Sequence, residues 1–520
     1  PNMRGRLRVG VDVGGTNTDA VVMAGHSVAA SVKVPTTVDV TSGILAALNG
    51  LFSNGELMAA EVAAVMIGTT HFTNAVVQAD GLAPTAAIRL GLPATSSLPP
   101  MVDWPDRLIT ATGGHTYMCR GGHEYDGREI APLDREELRR VVELAGQAGV
   151  RSFAITSVFS PVNPDFEREA ALIVEEIVDD ASVSLSNEIG RIGLLERENA
   201  TVMNACLIDL ANRIVDAFEE AVAGFGIGAP LFISQNDGTL MNADHTRQYP
   251  VLTFASGPTN SMRGAAFLSG LADCVVVDVG GTTSDIGVLV GGFPREASST
   301  IDICGVRTNF RMPDLISIGL GGGSLVSNNG TPSVGPGSVG FELPERSLVF
   351  GGDTMTATDV AVAMGRVEIG DRSLTADIDP ELASEAMAFM QRSLAESVDR
   401  LKIRPGEVPL VAVGGGSFLV DRDLPGTSEV ITPENGMVAN AIGAVIAQVG
   451  GEVDRVFSLV GTNREAVLDS ARQEAVKRTV DAGATADRVE IVEVEEVPLA
   501  YLPSNAVRVR IKAVGDLEVD

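Results

Sequence analysis

Two stretches far apart in the chain read almost alike, and no other feature constrains the fold so strongly. Val9–Met23 is VGVDVGGTNTDAVVM and Val275–Leu289 is VVVDVGGTTSDIGVL; with Asp12 set against Asp278, nine of the fifteen positions are identical. Each begins as a run of β-formers that delivers a carboxylate, Asp12 or Asp278, and then turns on a glycine pair. Each returns past hydroxyls and a second carboxylate, Asp19 or Asp285. The pattern predicts strand, glycine turn, strand. A repeat at so long a separation is not a solenoid period, and it predicts two related lobes that offer their hairpins to one cleft.

The tips of these hairpins suit an anion. Gly14, Gly15, Thr16 and Asn17 in the first, and Gly280, Gly281, Thr282 and Thr283 in the second, present backbone N–H groups and hydroxyls instead of bulk. Unpaired N–H donors in a concave turn bind phosphate without a lysine. A carboxylate at the end of the leading strand, here Asp12 and Asp278, suits the Mg2+ that accompanies a nucleotide, held through water. Asp12, Asp278 and Asp285 are therefore the candidate catalytic carboxylates.

A chain of 520 residues is long enough for two or three domains with their own cores. Aromatics make up only 4% while glycine reaches 57 residues, so the cores must be built from Val, Ala, Leu and Ile between tight turns. A net charge of −30 argues against nucleic acid, whose phosphates need a basic face. The four cysteines are widely spaced with no CxxC pair, which suggests neither a disulfide framework nor a zinc knuckle. No apolar run reaches the roughly 18 residues of a membrane span. Arg4, Arg6 and Arg8 lead into a strand carrying Asp12, not into a signal-peptide core. The expectation is a soluble cytoplasmic protein with no membrane partner.

Between and after the hairpins, two more strand ends stand out. VMIGTT runs into GTTHFTNAVVQ (68–78), where hydroxyls meet the start of a helix. Thr69, Thr70 and Asn74 are candidate substrate residues there, with helix capping by Thr73 or Asn74 as the plainer alternative. LVAVGGGSFL (410–419) ends a strand in Gly414, Gly415 and Gly416, which would let the backbone approach a base and ribose. His115, Cys119 and His123 have a spacing that invites a metal, yet Arg120-Gly121-Gly122 breaks any helix that would align them, and no fourth ligand is near. The alternation of strands and helices over 133–179 predicts a layered α/β unit with parallel strands. A helix is expected over 260–268, just after Ser256, and beyond Arg455 one charged helix and a β-rich end form a small α+β appendix. Expected domains are 1–190, 191–450 and 451–520. A P-loop is absent, since none of the four lysines follows a glycine, as are Gly-x-Ser-x-Gly, His-Glu-x-x-His and Gly-x-Gly-x-x-Gly after the first strand.

Two DxGGT hairpins followed by a glycine-triplet strand resemble the nucleotide-binding elements of the actin, Hsp70 and sugar-kinase superfamily. More narrowly, VDVGGTNTD, GTTHFTNA, ERENATVMNA, Ser256-Gly257-Pro258, VDVGGTTSD, IGLGGGS and TATD, in that order over about residues 7–450, resemble the ATP-dependent hydantoinase A and 5-oxoprolinase family. The resemblance implies an α/β fold of two actin/Hsp70-like (ribonuclease H-like) lobes around a nucleotide cleft. It implies ATP and Mg2+ as cofactors, with adenosine against Gly414–Gly416. The activity implied is ATP-dependent ring opening of a small cyclic amide or imide, such as a hydantoin, oxoproline or lactam, through phosphorylation of its carbonyl oxygen. A small-molecule kinase or a carboxylase subunit of the same superfamily is the alternative, and a non-catalytic ATP switch is disfavoured because no peptide-binding domain or long linker is present. Family members commonly work with a hydantoinase B-like second subunit, so such a partner is expected, with a homo-oligomer acting alone as the other possibility. The chain departs from the family's usual Ser-Asn-Gly-Gly at Gln235-Asn236-Asp237-Gly238, and it carries Thr259-Asn260-Ser261 where more glycine is usual.

Overall fold

The computed structural model describes residues 7–15, 17–36, 40–53, 55, 57–297, 300–328, 332–402, 405–459, 461–499 and 505–517. Leu7–Val13 is buried almost throughout, as expected for a strand covered on both faces. It pairs antiparallel with Asn17–Ala24, and that strand pairs antiparallel with Ser27–Pro35. On its other side it runs parallel to Val62–Thr69, which is parallel in turn to Leu231–Ser234. The second lobe repeats this plan. Cys274–Val279 pairs antiparallel with Ser284–Val290, whose outer neighbour is Leu315–Ile318, and on the other side it is parallel to Val408–Val413 and then Thr427–Ile431. Two related halves follow from the duplicated hairpin, as the repeat predicts, and their ribonuclease H-like form is the one the family resemblance implies.

The first half is interrupted between Val62–Thr69 and Leu231–Ser234. There the chain builds a separate four-stranded sheet in the order His115–Arg120, Thr85–Leu92, Ser152–Ser157, Ser182–Leu185, every pair parallel. Helices Arg135–Gln147 and Asp165–Ile177 cover it with Leu138, Val142, Phe166 and Ile173. The expected layered α/β unit is this insertion.

The α+β appendix extends the first sheet. Val449–Phe457 runs beside Leu240–Asn242 and pairs antiparallel with Val507–Leu517, which pairs with Ala484–Pro498 to complete nine strands. Helix Arg464–Asp481 packs Val467, Leu468 and Ala471 on them. The first sheet thus gathers strands from all three expected sequence domains, because strand pairing is indifferent to the order in which the strands occur. Asp237, one of the departures noted above, ties this extension down: its carboxylate lies 2.9 Å from Lys512 Nζ and 3.0 Å from Arg311. Burial works against its charge, yet Lys512 and Arg311 hold the carboxyl far below the usual range. Arg311 also pairs with Glu296 and Glu452, at 2.7 and 2.8 Å.

The lobes meet where helix Ser256–Ser269 crosses helix Ala439–Ile446. Backbone touches backbone there: a Cβ on Gly443 would lie 1.8 Å from the Asn260 carbonyl oxygen, and one on Gly264 1.9 Å from that of Ala439. Gly443→Ala and Gly264→Ala are expected to lower the unfolding free energy by about 1–3 kcal/mol each, the usual overpacking range. Gly224→Ala, at a helix end where an added Cβ meets nothing within 4 Å, is the control and should be neutral or mildly stabilising. Denaturant unfolding of the three variants checks this ranking.

Candidate active site

The two hairpin tips face one another across a cleft of about 420 Å3. The turns of the two tips are closed alike. Gly14 N donates to the Asn17 carbonyl at 3.0 Å, and Gly280 N to that of Thr283 at 2.9 Å. Each leading strand then hands its last carbonyl to the neighbouring parallel strand: Thr70 N donates to Val13 O at 3.4 Å, and Gly416 N to Val279 O at 2.8 Å. Gly68–Thr70 of the first lobe is therefore the counterpart of Gly414–Gly416 in the second. The glycines at these corners are obligatory. A Cβ on Gly68 would lie 2.1 Å from Asp12 Oδ1, and one on Gly414, whose φ is +85°, 2.3 Å from Asp278 Oδ1. In contrast, Gly15, Gly281 and Gly415 meet nothing on that side, so their backbone is open to the cleft.

Gly14, Gly15, Asn17, Asp278, Gly280, Gly281, Thr282, Thr283 and Gly414–Gly416 all line the cleft. Thr16 lies outside the described residues. Asp12 is buried directly beneath the first tip, and Asp285 stands directly opposite Asp278 across the second hairpin. Of the substrate candidates, Thr70 and Asn74 sit beside Val13: Thr70 Oγ1 donates to its carbonyl at 3.3 Å, and Asn74 Nδ2 to Thr70 Oγ1 at 3.3 Å. Thr69 is buried, with its hydroxyl 2.6 Å from His71 Nδ1, and none of the three candidates is among the residues that line the cleft.

Several site residues were not singled out in the sequence. The helix expected from residue 260 begins four residues earlier, at Ser256, which puts Asn260 and Ser261 on its second turn. Neighbouring helical residues point about 100° apart. Asn260 accordingly donates to Asp12 Oδ1 of the first lobe at 3.4 Å, while Ser261 donates to Asp278 Oδ2 of the second. From the crossing helix, Asn440 Nδ2 donates to both Asp12 Oδ2 and Asp19 Oδ2, at 2.9 and 2.8 Å. Asp19 is also 2.8 Å from Lys33 Nζ. Asp19 could have been found, since it is the twin of Asp285 in the repeat.

Negative charge dominates this floor. Burial pushes the Asp12 carboxyl up to about 6, Asp19 adds to the effect, and the amides of Asn260 and Asn440 only partly oppose it. Burial likewise raises Asp278, against the hydroxyl of Ser261 and the charge of Lys33. Asp285 is pushed up to about 6, mainly by burial, with Ser317 opposing. Carboxylates so short of positive charge fit a divalent cation held through its waters. Among the described residues no group of three or more His, Cys, Asp or Glu side chains could cage a metal directly. The spacing of His115, Cys119 and His123 makes no such site: the Cys119 thiol is buried and pushed up to about 12, and His123 packs on Phe166 with ring centres 4.3 Å apart.

Fold and cleft define a two-lobed α/β protein with ribonuclease H-like halves around one cleft. Residues 8–178 match the hydantoinase/oxoprolinase N-terminal region and residues 197–453 the hydantoinase/oxoprolinase domain, and the chain belongs to the hydantoinase/oxoprolinase family. It is 27% identical over 395 residues to the caprolactamase subunit alpha of Pseudomonas jessenii, an alignment covering 70% of this chain and 55% of that one. It is 28% identical over 254 residues to the acetophenone carboxylase gamma subunit of Aromatoleum aromaticum, covering 46% of this chain and 34% of that subunit. The chain thus spans about half or less of the length of these relatives. The crystal structure of the ATP-dependent caprolactamase from Pseudomonas jessenii superposes with a TM-score of 0.78 at 20% identity, over 98% of this chain and 88% of that one. This last likeness concerns the fold. Among the described residues no helix is long and apolar enough to cross a membrane.

The raised Asp12 carboxyl has a testable sign. Its folded pKa of about 6 lies above the ordinary 3.8, so the stability it contributes is present below about pH 4 and is lost as pH rises through 6. Asp12→Asn removes that dependence. Without nucleotide or metal, the variant should gain stability relative to the parent between pH 4 and 8, by up to about 3 kcal/mol. Thermal unfolding of both proteins across that range is the measurement, and a difference constant with pH would contradict it.

Proposed function

We propose that the protein uses Mg·ATP to open a small cyclic amide or imide, such as a hydantoin, oxoproline or lactam. The observation that carries the reading is the pair of matching hairpin tips across one cleft, in a chain that belongs to the hydantoinase/oxoprolinase family. An amide carbonyl is a poor electrophile, and phosphorylating its oxygen turns that oxygen into a leaving group that water can displace. The protein's share of such a transfer is positioning and charge neutralisation.

Gly15 and Gly281 would offer their open backbone to the phosphates, with Asn17, Thr282 and Thr283 beside them. Asp12 and Asp278 would hold Mg2+ through its waters, and the bound ion would neutralise charge on the phosphate oxygens. Gly414–Gly416 would face adenosine. Thr70 and Asn74 occupy the corresponding corner of the first lobe, where the ring would sit if the pseudo-twofold relation separates nucleotide from substrate. Asp285, opposite Asp278 in the second hairpin, would act by orienting it.

A carboxylase outcome is the second reading, favoured by similarity to the acetophenone carboxylase gamma subunit. It requires the same activated carbonyl and differs in what happens next. A second subunit is part of the proposal, since two of the relatives are themselves called subunits.

Asp278→Asn is expected to lower ATP turnover at least about a hundredfold while the protein remains folded by circular dichroism. With a responsive lactam, hydantoin or oxoproline, products should be ADP, phosphate and the ring-opened acid, identified by mass spectrometry. A phosphorylated product that survives isolation would establish a kinase instead, and a carboxylated product formed only with bicarbonate would establish the carboxylase. Assayed alone, this chain should not complete ring opening. Stoichiometric opening by the single chain would remove the second subunit from the proposal.

A further inference from the structure

The two halves of the cleft match closely, and the place where they stop matching points to the reacting end. In the first lobe Asp19 stands across the sheet from Lys33 on the outer strand Ser27–Pro35. At the equivalent place in the second lobe Asp285 stands across from Ser317. Lys33 is the single Lys or Arg among the described residues that line the cleft. Its Nζ is 2.8 Å from Asp19 Oδ1, and its side chain keeps 34% of its surface exposed. The ammonium can therefore reach a group in the cleft without leaving a buried position, and the stem needs no backbone movement to do so. Asp19 would not be left unheld, because Asn440 still donates to its other oxygen at 2.8 Å.

We infer that Lys33 is a catalytic residue: its ammonium contacts the terminal phosphoryl group of the nucleotide while that group passes to the substrate carbonyl oxygen. The inference rests on the Mg·ATP reading of the cleft, with adenosine at Gly414–Gly416, and adds the charged contact at the nucleotide's other end. The terminal phosphate lies toward the first lobe's outer strands, and the rest of the nucleotide toward the second lobe, whose equivalent position offers a neutral hydroxyl. In the transfer the carbonyl oxygen forms a bond to the γ-phosphorus, and the bond from phosphorus to the β–γ bridging oxygen breaks. The electron pair leaves with the diphosphate and no proton moves in that step. Lys33 neutralises charge on the non-bridging oxygens throughout, as a strongly hydrated point charge does at a phosphate. The duplicated tips grip the nucleotide similarly from both sides, so by themselves they define no direction. Gly414–Gly416 at one end and the lysine at the other supply one.

The test compares a non-hydrolysable ATP analogue with ADP, both as Mg2+ complexes, by titration calorimetry, and follows ATP turnover in parallel. For Lys33→Met the analogue is expected to bind at least tenfold more weakly while ADP binds within twofold of the parent, and turnover falls at least a hundredfold. Lys33→Arg should restore the analogue's preference over ADP, since it returns the charge. A Lys33→Met protein carries an unpaired Asp19, so Asp19→Asn with Lys33→Met serves as a second variant in which the cleft keeps its net charge; it should show the same selective loss. Parent-like turnover and analogue binding in both variants would overturn the inference and leave the nucleotide reading standing. Equal weakening of analogue and ADP would also overturn it, showing that the lysine merely shapes the cleft. A parent protein that binds neither nucleotide would bring down the reading on which the inference rests.

Discussion

The crossing of helices Ser256–Ser269 and Ala439–Ile446 is the contact on which the rest of the molecule depends. Gly264 and Gly443 bring the two backbones into direct touch, closer than any pair of side chains would permit. The turns beside that contact carry Asn260, Ser261 and Asn440, which reach Asp12, Asp19 and Asp278. One helix thereby holds a carboxylate of each lobe with consecutive residues. Lobe packing and cleft geometry are not separate properties here, because the same few residues set both.

The electrostatics of the cleft follow from that arrangement. Three carboxyls have been drawn into poorly hydrated positions, where amide and hydroxyl donors relieve their charge only in part. A site of this kind is held ready for positive charge at some expense in stability, a common property of functional sites. The contrast with Asp237 is instructive. It is just as buried, but two cations press against it and its carboxyl is shifted the other way. Burial alone does not decide the direction; the number of neighbouring cations does.

Much of this was legible in the chain itself. A repeated hairpin is a local pattern, so strands, tips, Asp12 and Asp278 could all be read from it, and the two-lobed fold with them. The glycine triplet at 414–416 and the GTT strand end were legible too, although their equivalence emerges only from matching hydrogen bonds. What escaped is non-local. Lys33 matters because it stands across a sheet from Asp19, and no spacing in the sequence states that register. Asn260 and Ser261 were hidden by a helix start four residues earlier than expected, and no motif in the sequence marks Asn440. Thr69 was expected to face a substrate, yet its strand end is covered and its hydroxyl is engaged by His71. The departures at Asp237 and at Asn260-Ser261 proved to be structural devices, one anchoring the sheet extension and the other gripping the carboxylates.

The path of the chain through the first sheet bears on synthesis. The sheet begins with strands from Leu7 onward and is completed by Val449–Phe457, Val507–Leu517 and Ala484–Pro498. One apolar cluster joins Ala64, Phe232, Val449 and Leu517. A ribosome extending this protein therefore exposes the edge of Leu240–Asn242 through the making of the whole second lobe, with Asp237 beside it and its lysine not yet made. The insertion over 85–185 has no such wait, since its four strands and their covering helices are contiguous. The inserted sheet can fold as it emerges, while the lobe that receives it stays open until nearly the last described residue has appeared.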